Sequence, residues 1–134
     1  LRIGGKVGRM SGEPVDVEAQ VLALNETPLQ YGFSGRKDSG FGPAAAIRAG
    51  SIDIVLASRR AQVMSPDVFS ELGIDPVTKK ILVVKSNQHF YARFAPIAAT
   101  VLYAEAPGTA SNDVRRRKYR RLSRPIWPLD EVSI

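Results

Sequence analysis

The sequence predicts an α/β fold, a mixed sheet with a central strand–helix–strand–helix–strand unit and a β-rich N-terminal part. Three observations carry that prediction. Val15–Leu24 alternates apolar and polar residues with the period of a half-buried strand. Ser65-Pro66-Asp67 joins a capping residue, a proline at the first helical position and a first-turn acid, and Gly73 supplies a stop. Ile81–Val84 is an unbroken apolar run, the pattern of a strand buried on both faces.

Taken in order, Leu1–Val7 and Val15–Leu24 read as strands separated by the turn residues of Gly8–Pro14. In the second, Val15, Val17, Ala19, Val21 and Ala23 are expected to face inward, with Asp16, Glu18 and Gln20 facing solvent. Asn25–Pro43, with Gly32, Gly35, Gly40 and Gly42, reads as a long loop or an irregular hairpin. Ala44–Arg48 and Ile52–Ala57 form a hairpin about Ala49-Gly50-Ser51. A helix follows over Pro66–Leu72, with Ser65 as its cap and Val68, Phe69 and Leu72 as its apolar face. After the Ile81–Val84 strand, Ser86 stands where a cap belongs before a second helix, Asn87–Ala95, stopped by Pro96. Thr100–Ala106 is the next strand, ended by Pro107-Gly108. The connections after Ala57 and Val84 are long enough for right-handed crossovers, so these strands can run parallel. Two prolines forbid a regular element in Arg124–Asp130, where Trp127 is expected to pin the tail to the domain.

A length of 134 residues, 44% hydrophobic and 24% charged, suits one globular domain, residues 1–134. The strand-like entry on Leu1-Arg-Ile, without Met, suggests a domain cut from a longer protein. The absence of cysteine excludes disulfides, thiolate metal sites and a Cys nucleophile. It favours a reducing compartment, and a cytoplasmic location is expected. No apolar run approaches the roughly 20 residues that span a bilayer, so no membrane partner is expected. The net charge of +6 is concentrated in Arg115–Arg121, where six of seven residues are cations; without that run the balance is near neutral.

In a parallel sheet, ligands bind beyond the carboxyl ends of the strands. Two predicted strands end in similar chemistry, Ser58-Arg59-Arg60 and Lys85-Ser86. If they are neighbours, Arg59, Arg60, Gln62, Lys85, Ser86 and His89 converge on one edge. That cationic, donor-rich cluster suits a carboxylate or phosphate. The bland alternative is a solvated strand end with an ordinary cap. His89 is the only histidine, so no zinc site can be built from this chain, and a Ser-His-Asp triad would have to use it as base. Neither Gly32-Phe-Ser-Gly35 nor Gly40-Phe-Gly42 is a phosphate loop, because no Gly-Lys-Ser/Thr follows in frame. The basic run, with Tyr119 interleaved, supports a competing reading as a nucleic-acid-binding or purely structural interaction domain. No nucleic-acid motif accompanies it, and the expectation is a solvated face.

Several blocks together point to a family: Gly4-Gly-Lys6, Gly40-Phe-Gly42 before Ala46-Ile-Arg48, Val55-Leu-Ala-Ser-Arg-Arg-Ala-Gln62, Gly73-Ile-Asp-Pro76, Val84-Lys-Ser-Asn-Gln-His-Phe90 with Phe94-Ala-Pro96, and Arg124-Pro-Ile-Trp-Pro-Leu-Asp130. With them the chain resembles, nearly end to end, the C-terminal domain of the microcystinase C (MlrC) family of metallopeptidases. The resemblance implies a bacterial two-domain hydrolase whose zinc and zinc ligands belong to an N-terminal catalytic domain, with no metal ligand on this segment. It implies a peptide or amide substrate and leaves room for a homo-oligomer. It also places the Ser58–Gln62 and Lys85–His89 blocks toward the active-site cleft. On that basis Lys85 and His89 are the candidate catalytic residues, and Arg59, Arg60, Gln62 and Ser86 the candidate substrate-binding residues. The Arg115–Arg121 run is heavier than the family pattern.

Overall fold

The computed structural model describes residues 1–8, 11–105 and 113–132. They divide into two compact units, Leu1–Arg2 with Asp16–Leu102, and Ile3–Val15 with Tyr103–Ile134. Two short strands, β1 (Arg2–Ile3) and β2 (Val15–Asp16), pair with each other.

The first unit is organised by a three-stranded sheet of β3 (Gln20–Asn25), β6 (Ala44–Ala49) and β7 (Ile52–Ala57) in the order β3-β6-β7, both ladders antiparallel. A separate hairpin, β4 (Leu29–Gly32) and β5 (Gly35–Asp38), lies between β3 and β6 in sequence. The expected hairpin about Gly50 is present, with Ala49 opposite Ile52. The glycine-rich Asn25–Pro43 stretch is the irregular hairpin, with Gly32 opposite Gly35.

β3 differs from its predicted pattern. Its register against β6 slips between Val21 and Ala23, so an extra residue enters the strand. Leu22 and Ala23 both reach the core, and Val21 is left exposed. The core cluster is Ala44, Ala46, Leu72 and Ile74, joined by Leu22, Ala23, Val55 and Phe69. Small side chains on β6 let the turn after α1 (Asp67–Ser70) approach the sheet closely.

α1 is shorter than the predicted Pro66–Leu72, and Pro66 occupies its cap position. The Ser65 hydroxyl bonds the Asp67 carboxylate and accepts the Tyr31 N–H at 3.0 Å, tying α1 to β4. Gly73 ends the helical turns as expected. At φ +73° it lets its own N–H reach Ser70 O and the Ile74 N–H reach Phe69 O, both at 3.0 Å, which delivers Ile74 to the core. Arg36 of β5 pairs with Glu71 and Asp67 and clasps the hairpin to α1.

The predicted strand–helix–strand–helix–strand unit is only partly realised. β7, α1 and α2 (Tyr91–Phe94) form, but neither Ile81–Val84 nor Thr100–Glu105 is a strand; Ala106–Gly108 lie outside the described residues. The fold is mostly β, with short helices. A strand needs a partner edge as well as an apolar run. Ile81 and Val83 are 81% and 85% exposed, and among the described residues no hydrogen bond reaches the backbone N–H of Ile81, Leu82 or Val83. The segment is held at its two ends instead. Before it, Lys79 pairs with Asp53 of β7; after it, the Ser86 hydroxyl donates to Val63 O at 2.6 Å. The Ser86 hydroxyl is thus directed to Val63, and no side chain caps the helix that follows. The helix predicted over Asn87–Ala95 accordingly shrinks to one turn without a side-chain cap, followed by a 3₁₀ turn over Ala95–Ile97 that contains Pro96. Edge-to-face contact of Phe69 with Phe94 joins α2 to α1.

In the second unit, Val114–Arg116 forms a 3₁₀ turn whose Arg115 N–H donates to the Asp113 carboxylate at 3.0 Å. Trp127 does not anchor the tail; it is 76% exposed. The tail is closed locally by the Arg124–Asp130 ion pair and by the Ile126 N–H donating to Asp130 at 2.8 Å. Among the described residues no helix is long and apolar enough to cross a membrane.

Candidate functional site

The site grows outward from one buried side chain. Gln30 on β4 is 5% exposed, and its carboxamide is fully used. Its Nε2 donates to Ser39 O at 3.1 Å and Gln62 O at 3.0 Å, and its Oε1 accepts the Met64 N–H at 2.9 Å. The segment after β7 is thus fixed to the hairpin through backbone groups on both sides of Val63. Upstream, Ser58 N–H donates to Pro43 O at 3.1 Å and Arg59 N–H to Phe41 O at 2.8 Å, prolonging the β6–β7 pairing past its last ladder pair. Gly42 allows this approach. It sits at φ +61°, and a β-carbon there would lie 2.6 Å from Ser58 Oγ and 3.2 Å from Arg59 side-chain carbons.

Onto this frame the Lys85–His89 segment docks through side chains. Ser86 Oγ donates to Val63 O, Gln62 Nε2 lies 3.2 Å from Ser86 Oγ, and His89 Nδ1 lies 3.1 Å from Gln62 Oε1. The Phe33 ring, at the tip of the β4–β5 hairpin, meets the His89 ring edge-on at 4.7 Å. Of the six predicted residues, the structure therefore brings Gln62, Ser86 and His89 into direct contact. Arg59 and Arg60 precede Gln62 and Lys85 precedes Ser86, so the three cations flank the junction in sequence. All three are exposed, and among the described residues no ion pair or side-chain hydrogen bond engages them. Their charge is free to meet an anion.

Gln30, Phe33 and Ser39 belong to this arrangement and were not anticipated. A lone Gln in a stretch rich in glycine carries no periodic signal, and only the meeting of β4 with residues 62–64 gives it a role. Beside the junction is a recess of about 130 Å³ lined by Gln30, Lys37, Asp38, Gln62 and Met64, among others. It is well below the roughly 300–1,000 Å³ of a small-molecule site, so it does not enclose a peptide.

A doubly paired carboxylate, Asp53, lies at the far end of the Lys79–Ser86 segment. Arg48 bonds Asp53 through Nε at 2.6 Å and Nη2 at 3.0 Å, and Lys79 adds a third contact. Arg48 first, then Lys79, hold the Asp53 carboxyl far below the usual carboxylate range, against the opposing effect of desolvation.

Among the described residues no three His, Cys, Asp or Glu side chains gather as a metal site.

The chain is similar to known proteins over nearly its whole length. A Microcystinase C from a Sphingomonas species is 33% identical to this chain over 132 residues, which is 98% of this chain and 25% of the relative; the chain spans about a quarter of that protein's length. A family model described as MlrC C-terminus matches residues 1–121, and the chain belongs to that family.

Proposed function

We propose that this chain is the accessory C-terminal domain of a zinc-dependent, peptidase-like hydrolase, and that it lends a cationic rim to the active-site cleft. The zinc would be held by an N-terminal catalytic domain of the same protein, and the substrate would be a peptide or amide. The observation that carries this reading is the Gln62–Ser86–His89 contact, which joins the two chain segments that bear Arg59, Arg60 and Lys85.

Fixed positive charge at such a rim binds a substrate carboxylate, or steadies negative charge that develops during amide cleavage. Lys85, Arg59 and Arg60 supply that charge. Ser86 has its one proton committed to Val63 O, so its part is to hold Gln62 and not to donate to substrate. His89 is the exposed group of the cluster able to accept a proton.

The test uses the full-length protein and a panel of short linear peptides. Lys85→Ala and His89→Ala should each lower kcat/KM at least tenfold, about 1.4 kcal/mol of transition-state stabilisation. Both residues are exposed, so melting temperatures should stay near wild type. Unchanged turnover in both variants would remove this rim from the reaction.

A further inference from the structure

We propose that Gln62 is a positioning residue that fixes neutral His89 as its Nδ1–H tautomer, leaving the Nε2 lone pair as an outward hydrogen-bond acceptor for a proton-donating group such as water. The tautomer follows from a chain of hydrogen bonds; its use as a base rests on the function proposed above.

The chain starts at Val63. Its carbonyl can only accept, and Ser86 Oγ approaches it at 2.6 Å, so the single serine proton points there. Ser86 Oγ can then only accept from Gln62, which requires the Gln62 NH₂ to face it, at 3.2 Å. That choice settles the orientation of the amide. Gln62 Oε1 is left facing His89 Nδ1 at 3.1 Å. An amide oxygen donates nothing, so Nδ1 must carry the hydrogen. A neutral imidazole has one N–H, so Nε2 keeps its lone pair. When Nε2 takes a proton from a donor, the resulting imidazolium keeps its Nδ1–H on Gln62 Oε1, so the same bond holds the charged form. No proton need leave the relay.

The relay is anchored where it starts. Gln30 holds the backbone on either side of Val63, through Gln62 O and Met64 N–H. Phe33 limits the imidazole from one side. Among the described residues Nε2 has no partner. A buried glutamine thus sets, through the Val63 carbonyl and the Ser86 and Gln62 side chains, which nitrogen of an exposed histidine is basic.

The experiment is two-bond ¹⁵N–¹H correlation on full-length protein labelled at histidine, above the pH at which the ring is neutral, with His89 assigned by the loss of its signals in His89→Asn. The expected pattern has a protonated-type Nδ1 and an unprotonated-type Nε2. Gln62→Leu removes the acceptor and should shift the pattern toward Nε2–H. Gln62→Glu restores an acceptor and should return it to Nδ1–H. In parallel, Gln62→Leu should lower kcat at least tenfold with little change in KM, and Gln62→Glu should recover most of it. An Nε2–H pattern in the wild type overturns the proposal without any variant having to fold, and an unchanged pattern in Gln62→Leu overturns it equally. The expected tautomers together with full turnover in His89→Ala would instead overturn the catalytic use alone.

Discussion

Replacing Gln30 by leucine tests whether the site is held from beneath. Leucine keeps most of the apolar volume and deletes the carboxamide. Three hydrogen bonds go with it, at 2.9, 3.0 and 3.1 Å, and Ser39 O, Gln62 O and Met64 N–H lose their partner in a place that is 5% exposed. A protein hydrogen bond is worth about 1 kcal/mol net, and a buried group left unsatisfied costs about 1–3 kcal/mol. The gain from burying a few extra carbons offsets roughly 1 kcal/mol. The expected loss is about 3 kcal/mol, read as a fall of about 1–2 M in the urea midpoint at an unchanged slope. In the full-length protein turnover should fall as well, because the backbone that presents Gln62 is released. A loss below about 1 kcal/mol would show that residues 62–64 hold their place without Gln30, and the outward chain of positioning argued above would lack its foundation.

Gly42→Ala should cost more than Gly73→Ala, by about 1–2 kcal/mol in urea denaturation. Both glycines have positive φ, but only at Gly42 would the new carbon meet Ser58 and Arg59; at Gly73 nothing lies within 4 Å. Asp53 makes stability depend on acid. Its folded-state pKa lies below the unfolded one, so its contribution is complete above about pH 4 and fades as pH falls through the ordinary carboxylate range toward the folded value. Asp53→Asn should therefore flatten the loss of stability between about pH 4 and pH 2, and an equal acid slope in the variant would contradict the assignment. Hydrogen exchange should find the Ile81–Val83 amides fast and those of Ala46 and Ile47 on β6 protected; protection at Leu82 and Val83 would mean that these groups have acceptors.

What was legible in the sequence depended on whether a signal was complete within a few neighbouring residues. The β6–β7 hairpin needs only two apolar runs and Gly50 between them, and it forms where expected. Gly73 likewise stops its helix by local bonds to Phe69 and Ser70. The signals that failed were those that need a distant partner. Ile81–Val84 has the composition of a buried strand, but no edge in the described residues pairs with it, and Ile81 and Val83 stay in solvent while Leu82 and Val84 are half-buried. Trp127 has the size of an anchor and is exposed for the same reason: size does not supply a cavity.

Ser86 shows how a residue can make a contact other than the one its sequence position suggests. Its position beside Lys85 pointed to a candidate site, and Ser86 does touch Gln62 of the other segment, though not through neighbouring strands. The mechanism inferred for it, a cap on a long helix, required its hydroxyl to face the chain that follows. Instead it faces the chain that precedes it: it donates to Val63 O, 23 residues upstream, and its oxygen accepts from Gln62 Nε2 and not from a helix N–H. Once that bond forms, the helix begins without a cap and shortens to Tyr91–Phe94, and the helix N-terminus is lost as an anion site. The same bond turns Gln62 toward His89. The feature that removes one binding device therefore creates another, and the choice between them is made by the position of a single backbone carbonyl, which no pattern of residue types encodes.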